Sequence, residues 1–202
     1  MGRQHQEVGF TLLELMVAGA CLLLLVAMMM QLLIPAFRIS AKASTASELH
    51  QRGHHALKNL AEDLQRTPAA GFAVYPTAPG RTLISLHQVI DADPTGAPVY
   101  ADGLVIYLWQ DRSLVRHRYV DPDPAFASSP RRLSVEQLES YLSAVVESRL
   151  LCSDLTSLAV SDSDPDPKRL RQPLLIAMEL TRGEESQLQR LALSEKVTMR
   201  NR

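Results

Sequence analysis

The sequence predicts an α+β protein: a long N-terminal helix whose second half packs on an antiparallel β-sheet, with one additional helix. Three observations carry that expectation. From Phe10 to Ile34 the chain is apolar apart from Thr11, Glu14 and Gln31, and Glu14 is its one charge. From Ser47 to Gln65 apolar residues recur at the spacing of a helix face, and from Arg81 the period shortens into β-branched and aromatic runs set between Pro, Asp and Gly. A capped helix start at Ser134 interrupts those runs once.

The apolar stretch comes first. Its 25 residues span roughly 37 Å as a helix at ~1.5 Å per residue, enough to cross a hydrocarbon core of about 30 Å with some tilt. Glu14 is expensive there, because a carboxylate in a membrane helix costs at least ~2.5 kcal/mol near the bilayer centre and less toward the interface. A chain needing only an anchor would carry leucine at that position, so a partner for the carboxylate is expected. Three plainer readings compete: a secretory signal peptide cut near Ala41-Lys42-Ala43, an unprocessed single-pass anchor, and a core helix of a soluble protein. The run is longer than a signal peptide's apolar region, and a helix apolar all round needs protein on every side.

Met1 to Gly9 form a short hydrophilic leader, followed by Phe10-Thr11-Leu12-Leu13-Glu14 and the apolar helix. This order of residues resembles the type IV prepilin signal, and six consecutive residues, Gly9 to Glu14, carry the resemblance. It implies a pilin-like fold and cleavage between Gly9 and Phe10 by a membrane-embedded prepilin peptidase, with methylation of the new Phe10 amine. Glycine suits a narrow scissile cleft because it has no Cβ. The resemblance further implies that Glu14 of one subunit meets the Phe10 ammonium of its neighbour during filament assembly. Opposite charges attract strongly where the dielectric constant is low, and each alone is penalised there. The implied partners are the prepilin peptidase, other pilins or pseudopilins, an inner-membrane assembly platform and membrane lipids. The implied location is the bacterial inner membrane, with the head outside the cytoplasm.

The domain boundaries expected are a leader at 1–9, a membrane or filament-core helix at 10–34, an amphipathic half-helix at 35–66 and a globular head at 67–202. Pro35 lacks an amide donor, so a kink or short melted stretch is expected near residues 31–35. The stripe beyond it comprises Leu49, Ala56, Leu57, Leu60, Ala61 and Leu64, and Thr67-Pro68 closes the helix. His50 and His54 lie four residues apart, a spacing that can bring two imidazoles to one metal. No third ligand completes a set, and a solvated polar face is the reading adopted.

Residues 69–79 read as a loop. Strands are expected at 81–90, 103–109 and 113–120, the last two joined as a hairpin through Gln110-Asp111-Arg112, with Arg116, His117 and Arg118 on an exposed face. Residues 91–98 and 121–130 read as loops. Ser134 can cap a helix with Gln137 closing the box, and Leu133 with Leu138 can staple it. That helix is expected over 135–150, burying Leu138, Tyr141, Leu142, Val145 and Val146. Strands follow at 155–160, 173–181 and 188–199, the last two a hairpin. Between them Asp162, Asp164 and Asp166 alternate as at the start of a calcium loop, but Pro165, Pro167 and the missing glycine and distal Glu favour a solvated turn. The terminal residues 195–202 resemble the ends of minor pilins and pseudopilins of the W and J types.

The formal net charge of −1 excludes the basic excess that nucleic-acid binding ordinarily needs. Cys21 and Cys152 are too differently placed to pair, and Cys152 reads as a small core residue. No phosphate loop, zinc spacing or nucleophile elbow is legible, so neither an enzyme nor a cofactor is expected. The function expected is structural, in a type IV pilus or a type II secretion pseudopilus, with a membrane-anchored adhesin or ligand-binding protein as the alternative.

Overall fold

The structure is a computed structural model that describes residues 11–161, 173–183 and 188–199. Helix α1 runs Leu12–Gln65, and the chain divides into two compact units, residues 1–46 and 47–202.

In the first unit α1 is apolar and bare. Every large apolar side chain from Leu12 to Ile39 is exposed, Leu12 at 79%. Helix continues unbroken through Pro35, so the melted stretch expected near 31–35 is absent. One missing amide donor within a helix this long leaves the turns on either side intact.

In the second unit the stripe on α1 is buried as its spacing required: Leu49, Ala56, Leu57, Leu60, Ala61 and Leu64 are each 3% exposed or less. Gly53 is part of the same face. A Cβ there would meet Leu193 Cδ1 at 2.8 Å, so this mid-helix glycine, which costs about 1 kcal/mol of helix propensity, lets a strand lie close. Thr67 ends the helix, its hydroxyl donating to the Asp63 carbonyl at 2.8 Å and its amide to that of Leu64 at 3.0 Å.

Among the described residues ten strands follow, all paired antiparallel: β1 (Phe72–Ala78), β2 (Arg81–Leu86), β3 (Val89–Ala92), β4 (Pro98–Tyr100), β5 (Gly103–Gln110), β6 (Ser113–Val120), β7 (Glu147–Cys152), β8 (Leu155–Ser161), β9 (Leu174–Arg182) and β10 (Gln189–Val197). They form a five-stranded sheet in the order β1-β2-β5-β6-β7, a three-stranded sheet β10-β9-β8 and a ribbon β3-β4. Helix α2 (Val135–Leu142) lies between β6 and β7 in the chain.

The five-stranded sheet is covered on both faces. Ile84, Leu86, Val105, Tyr107 and Leu114 join the α1 stripe in one core, together with Leu174, Ile176, Met178 and Leu180 of β9. Leu83, Leu104, Ile106 and Tyr119 pack oppositely with Phe126, Leu133 and Leu138. Double coverage explains why β2 and β5 read as nearly continuous apolar runs. The hairpin expected at 110–112 is present with Asp111 and Arg112 at its tip, at φ of 50° and 61°, which is the right-twisted turn that two-residue hairpins favour.

Four further sequence expectations are corrected. Residues 72–78, expected as loop, are strand β1, pairing with β2 from Phe72 opposite Leu86; Pro76 is tolerated because β1 is an edge strand. The strand expected over 81–90 breaks at His87-Gln88 into β2 and β3. The helix expected over 135–150 ends at Leu142, and Glu147–Cys152 pair with β6. The stripe 138/141/142/145/146 fits a helix, but a free edge on β6 has unpaired amides and carbonyls that a further strand satisfies. Val146 is accordingly 72% exposed rather than buried. Finally Arg116 does not lie on an exposed face. The capping box at α2 is present as expected, with Ser134 Oγ accepting from the Gln137 amide and Gln137 Oε1 from that of Ser134.

Candidate functional site

The strongest sequence signal falls at the start of α1. Gly9 and Phe10 lie outside the described residues, as do Asp162, Asp164 and Asp166. Glu14 is described, and its carboxylate faces back along the helix. Thr11 donates to Glu14 Oε2 through its amide at 2.9 Å and its hydroxyl at 3.1 Å, while the Glu14 amide donates to Thr11 Oγ1 at 3.3 Å. Thr11 is therefore the N-cap and Glu14 the third helical residue of a capping box.

That box gives Glu14 a role within its own chain. It satisfies one of the orphan amides of the first turn and sets negative charge at the positive end of the helix dipole. A Thr-x-x-Glu pattern before an apolar run is legible in sequence, and this local partner is a second use for a residue otherwise explained only by a neighbouring subunit. Beyond it the helix exposes a continuous apolar surface through Ile39, long enough to span a membrane.

The head holds two polar constructions that sequence did not reveal. Asp63, on the sheet-facing side of α1 and 8% exposed, accepts three hydrogen bonds. Tyr107 OH reaches Oδ2 at 2.6 Å, Arg116 Nε reaches Oδ2 at 2.8 Å and Gln88 Nε2 reaches Oδ1 at 2.9 Å. The network ties α1 to β5, β6 and the β2–β3 junction. Burial, and then the Asp63 carboxylate, push the Tyr107 hydroxyl far above its ordinary range, so it stays a donor.

His87 is the second. It is fully buried, with Nδ1 accepting from the Arg131 amide at 3.0 Å and Nε2 donating to the Ala101 carbonyl at 2.9 Å. Those partners fix a neutral ring with the proton on Nε2. Tyr100 and Phe126 flank it at 5.1 and 5.0 Å between ring centroids. Burial lowers its pKa most, the Ala101 hydrogen bond opposes that, and the Arg131 charge lowers it further. His117 is also lowered, by burial.

The unfolded chain therefore binds more protons than the folded one as pH drops below the ordinary histidine value of 6.5. Stability is present above that pH and is lost as pH falls toward the folded-state value, at no more than about 1.4 kcal/mol per pH unit per histidine. The thermal midpoint of the head is expected to fall between pH 7 and 5.5, and less steeply in His87→Gln. Equal slopes in the two proteins would remove His87 as the cause.

A cleft of about 560 Å³ opens beside this junction, and Ile90, Val99, Arg116, Arg118 and Glu147 are among the residues that line it. Among the described residues no group of three or more His, Cys, Asp or Glu side chains could hold a metal. His50 and His54 lie with their rings stacked at 6.4 Å. Cys152 is buried, its thiol pushed up to about 11 chiefly by desolvation, and so unreactive at neutral pH. Comparison with protein-family models, with curated proteins and with solved structures finds no match to this chain.

Proposed function

We propose that this chain is a minor pilin or minor pseudopilin, cleaved between Gly9 and Phe10, methylated on Phe10 and assembled through its N-terminal helix into a type IV pilus or a type II secretion pseudopilus. Its role is structural rather than catalytic. The single observation that carries the reading is the stretch Gly9-Phe10-Thr11-Leu12-Leu13-Glu14 placed immediately ahead of an apolar helix. The bare flank of that helix, Leu12 to Ile39, supports it, since such a surface needs lipid before assembly and other helices after it. Before assembly the protein waits in the bacterial inner membrane with its head outside the cytoplasm. Its partners are the prepilin peptidase, related subunits and the assembly platform.

Coexpression with an active prepilin peptidase is expected to give a mature chain lacking residues 1–9 and carrying one extra methyl group by intact-mass measurement. Gly9→Val is expected to retain all nine residues, because a branched Cβ enters a cleft shaped for glycine. Full-length mass for the unmodified chain in that host would sink the proposal.

The cleft in the head favours a second reading, a membrane-anchored ligand-binding protein. The same measurement separates the two, since an anchor has no need of processing.

A further inference from the structure

Strand β7 ends the five-stranded sheet, and its outer edge is unpaired among the described strands. Such edges are ordinarily blunted by short length, by charged side chains, lysine above all, by proline, by a bulge or by a covering element, and the charges here are Glu147 and Arg149. Glu147 to Leu150 carry no lysine or proline and are all exposed. The register shift of the β6–β7 pair lies beyond them, where Leu151 has no partner between Cys152 and Leu150. What remains is a short, regular, open edge.

Its side chains are unusual for an edge left in water. Leu150 is 60% exposed and the adjoining Val146 72%. On the other face Arg149 sits directly opposite Arg116 of β6, an unfavourable like-charge neighbour whose own carboxylate is Asp63. Among the described residues, the polar partner of Arg149 is the His55 ring, Nη2 to Nε2 at 3.4 Å. Glu147 lies opposite Arg118, yet neither makes an ion pair in the described structure. Glu147 and Arg149 thus lie on the same face of one edge, and neither makes an ion pair among the described residues.

The order Val146-Glu147-Ser148-Arg149-Leu150 is self-complementary when read antiparallel about Ser148. Glu147 then falls opposite Arg149 of a second copy and Arg149 opposite its Glu147. Val146 and Leu150 meet in the same reciprocal way on the other face. Residues opposite one another in this register differ by an even number of positions, so outward-facing amides and carbonyls meet outward-facing ones. We infer that β7 is a self-association edge, at which a second copy of this chain pairs antiparallel about a two-fold axis at Ser148 and joins two sheets into one. Such an interface is isologous and closed, and its two reciprocal ion pairs select the register. The inference goes beyond the filament reading and does not depend on processing of the leader.

The test uses the full chain in detergent with Cys21→Ser and with Cys152 left in place, since that thiol is buried and pushed up to about 11. Ser148→Cys places two thiols across the axis, and Ser194→Cys on β10, an edge strand of the three-stranded sheet among the described residues, is the control. Under mild oxidation Ser148→Cys is expected to yield disulfide-linked dimer about tenfold faster than the control. Adding Glu147→Arg sets arginine against arginine twice and is expected to return the rate to the control value. Adding Arg149→Glu to that variant swaps both charges and is expected to restore it. Trp109 emission of each variant reports an intact head. Equal rates at residues 148 and 194, or a charge swap that fails to restore crosslinking in a folded head, would overturn the inference.

Discussion

Asp63→Ala is expected to cost the head about 3 kcal/mol. Removing one partner of a buried ion pair typically costs about 3 to 5 kcal/mol, because the remaining charge is left without compensation. The lower end applies here because Arg116 keeps a quarter of its side chain exposed, against 11% for Asp63. The loss also strands the Tyr107 hydroxyl, which is fully buried and has the Asp63 carboxylate as its partner at 2.6 Å. Against a total stability of about 5 to 15 kcal/mol for a domain, this is a large fraction. It corresponds to a fall of roughly 6 to 12 °C in thermal midpoint for a head of this size.

The companion variants grade the cause. Asp63→Asn keeps an oxygen for Tyr107 or Gln88 but removes the charge facing Arg116, and its loss is expected to be about half as large. Tyr107→Phe leaves the ion pair in place and is expected to cost about 1 kcal/mol. Trp109 is the single tryptophan and donates to the Leu155 carbonyl at 3.2 Å, so its emission follows separation of the two sheets. A midpoint for Asp63→Ala within 2 °C of the unsubstituted protein would show that the network contributes nothing net.

Periodicity made the helix and most of the sheet legible. Leu49 to Leu64 repeat at helical spacing and are buried, and Ser113–Val120 is a strand with the limits that its composition suggested. What stayed hidden was decided by distant residues. Phe72–Ala78 contains Ala, Pro and Thr in a stretch that reads as loop, and it becomes strand because β2 offers an edge. Val145 and Val146 continue the α2 stripe by spacing, yet Glu147–Cys152 are drawn to β6. Asp63 falls by spacing on the buried stripe of α1, but nothing near it in sequence shows what its carboxylate would meet there. Only the fold brings Tyr107 and Arg116, 44 and 53 positions away, onto its carboxylate. At the candidate site the Gly9 to Glu14 order is legible, and so is the local use of Thr11, because Thr-x-x-Glu before an apolar run is a helix-start pattern.

The capping role of Glu14 and the intersubunit role proposed for it can be separated, and the outcome is expected to be near all-or-none. If capping were its whole purpose, Glu14→Gln would be tolerated, since an amide oxygen can accept from the Thr11 amide as the carboxylate does. The cap as a whole is worth about 1 kcal/mol and a long helix stabilised by lipid can lose it. An intersubunit pair with the Phe10 ammonium requires the charge. A neutral amide leaves that cation uncompensated in a medium where water cannot screen it, a penalty of several kcal/mol at each subunit contact. Glu14→Gln and Glu14→Ala are both expected to be cleaved normally and to be at least about tenfold depleted from sheared filaments relative to the membrane fraction. Thr11→Ala, which keeps the charge and loses the hydroxyl, is expected to incorporate within about twofold of the unsubstituted chain. Depletion of Thr11→Ala alongside normal incorporation of Glu14→Gln would reverse the assignment and leave Glu14 as a helix cap alone.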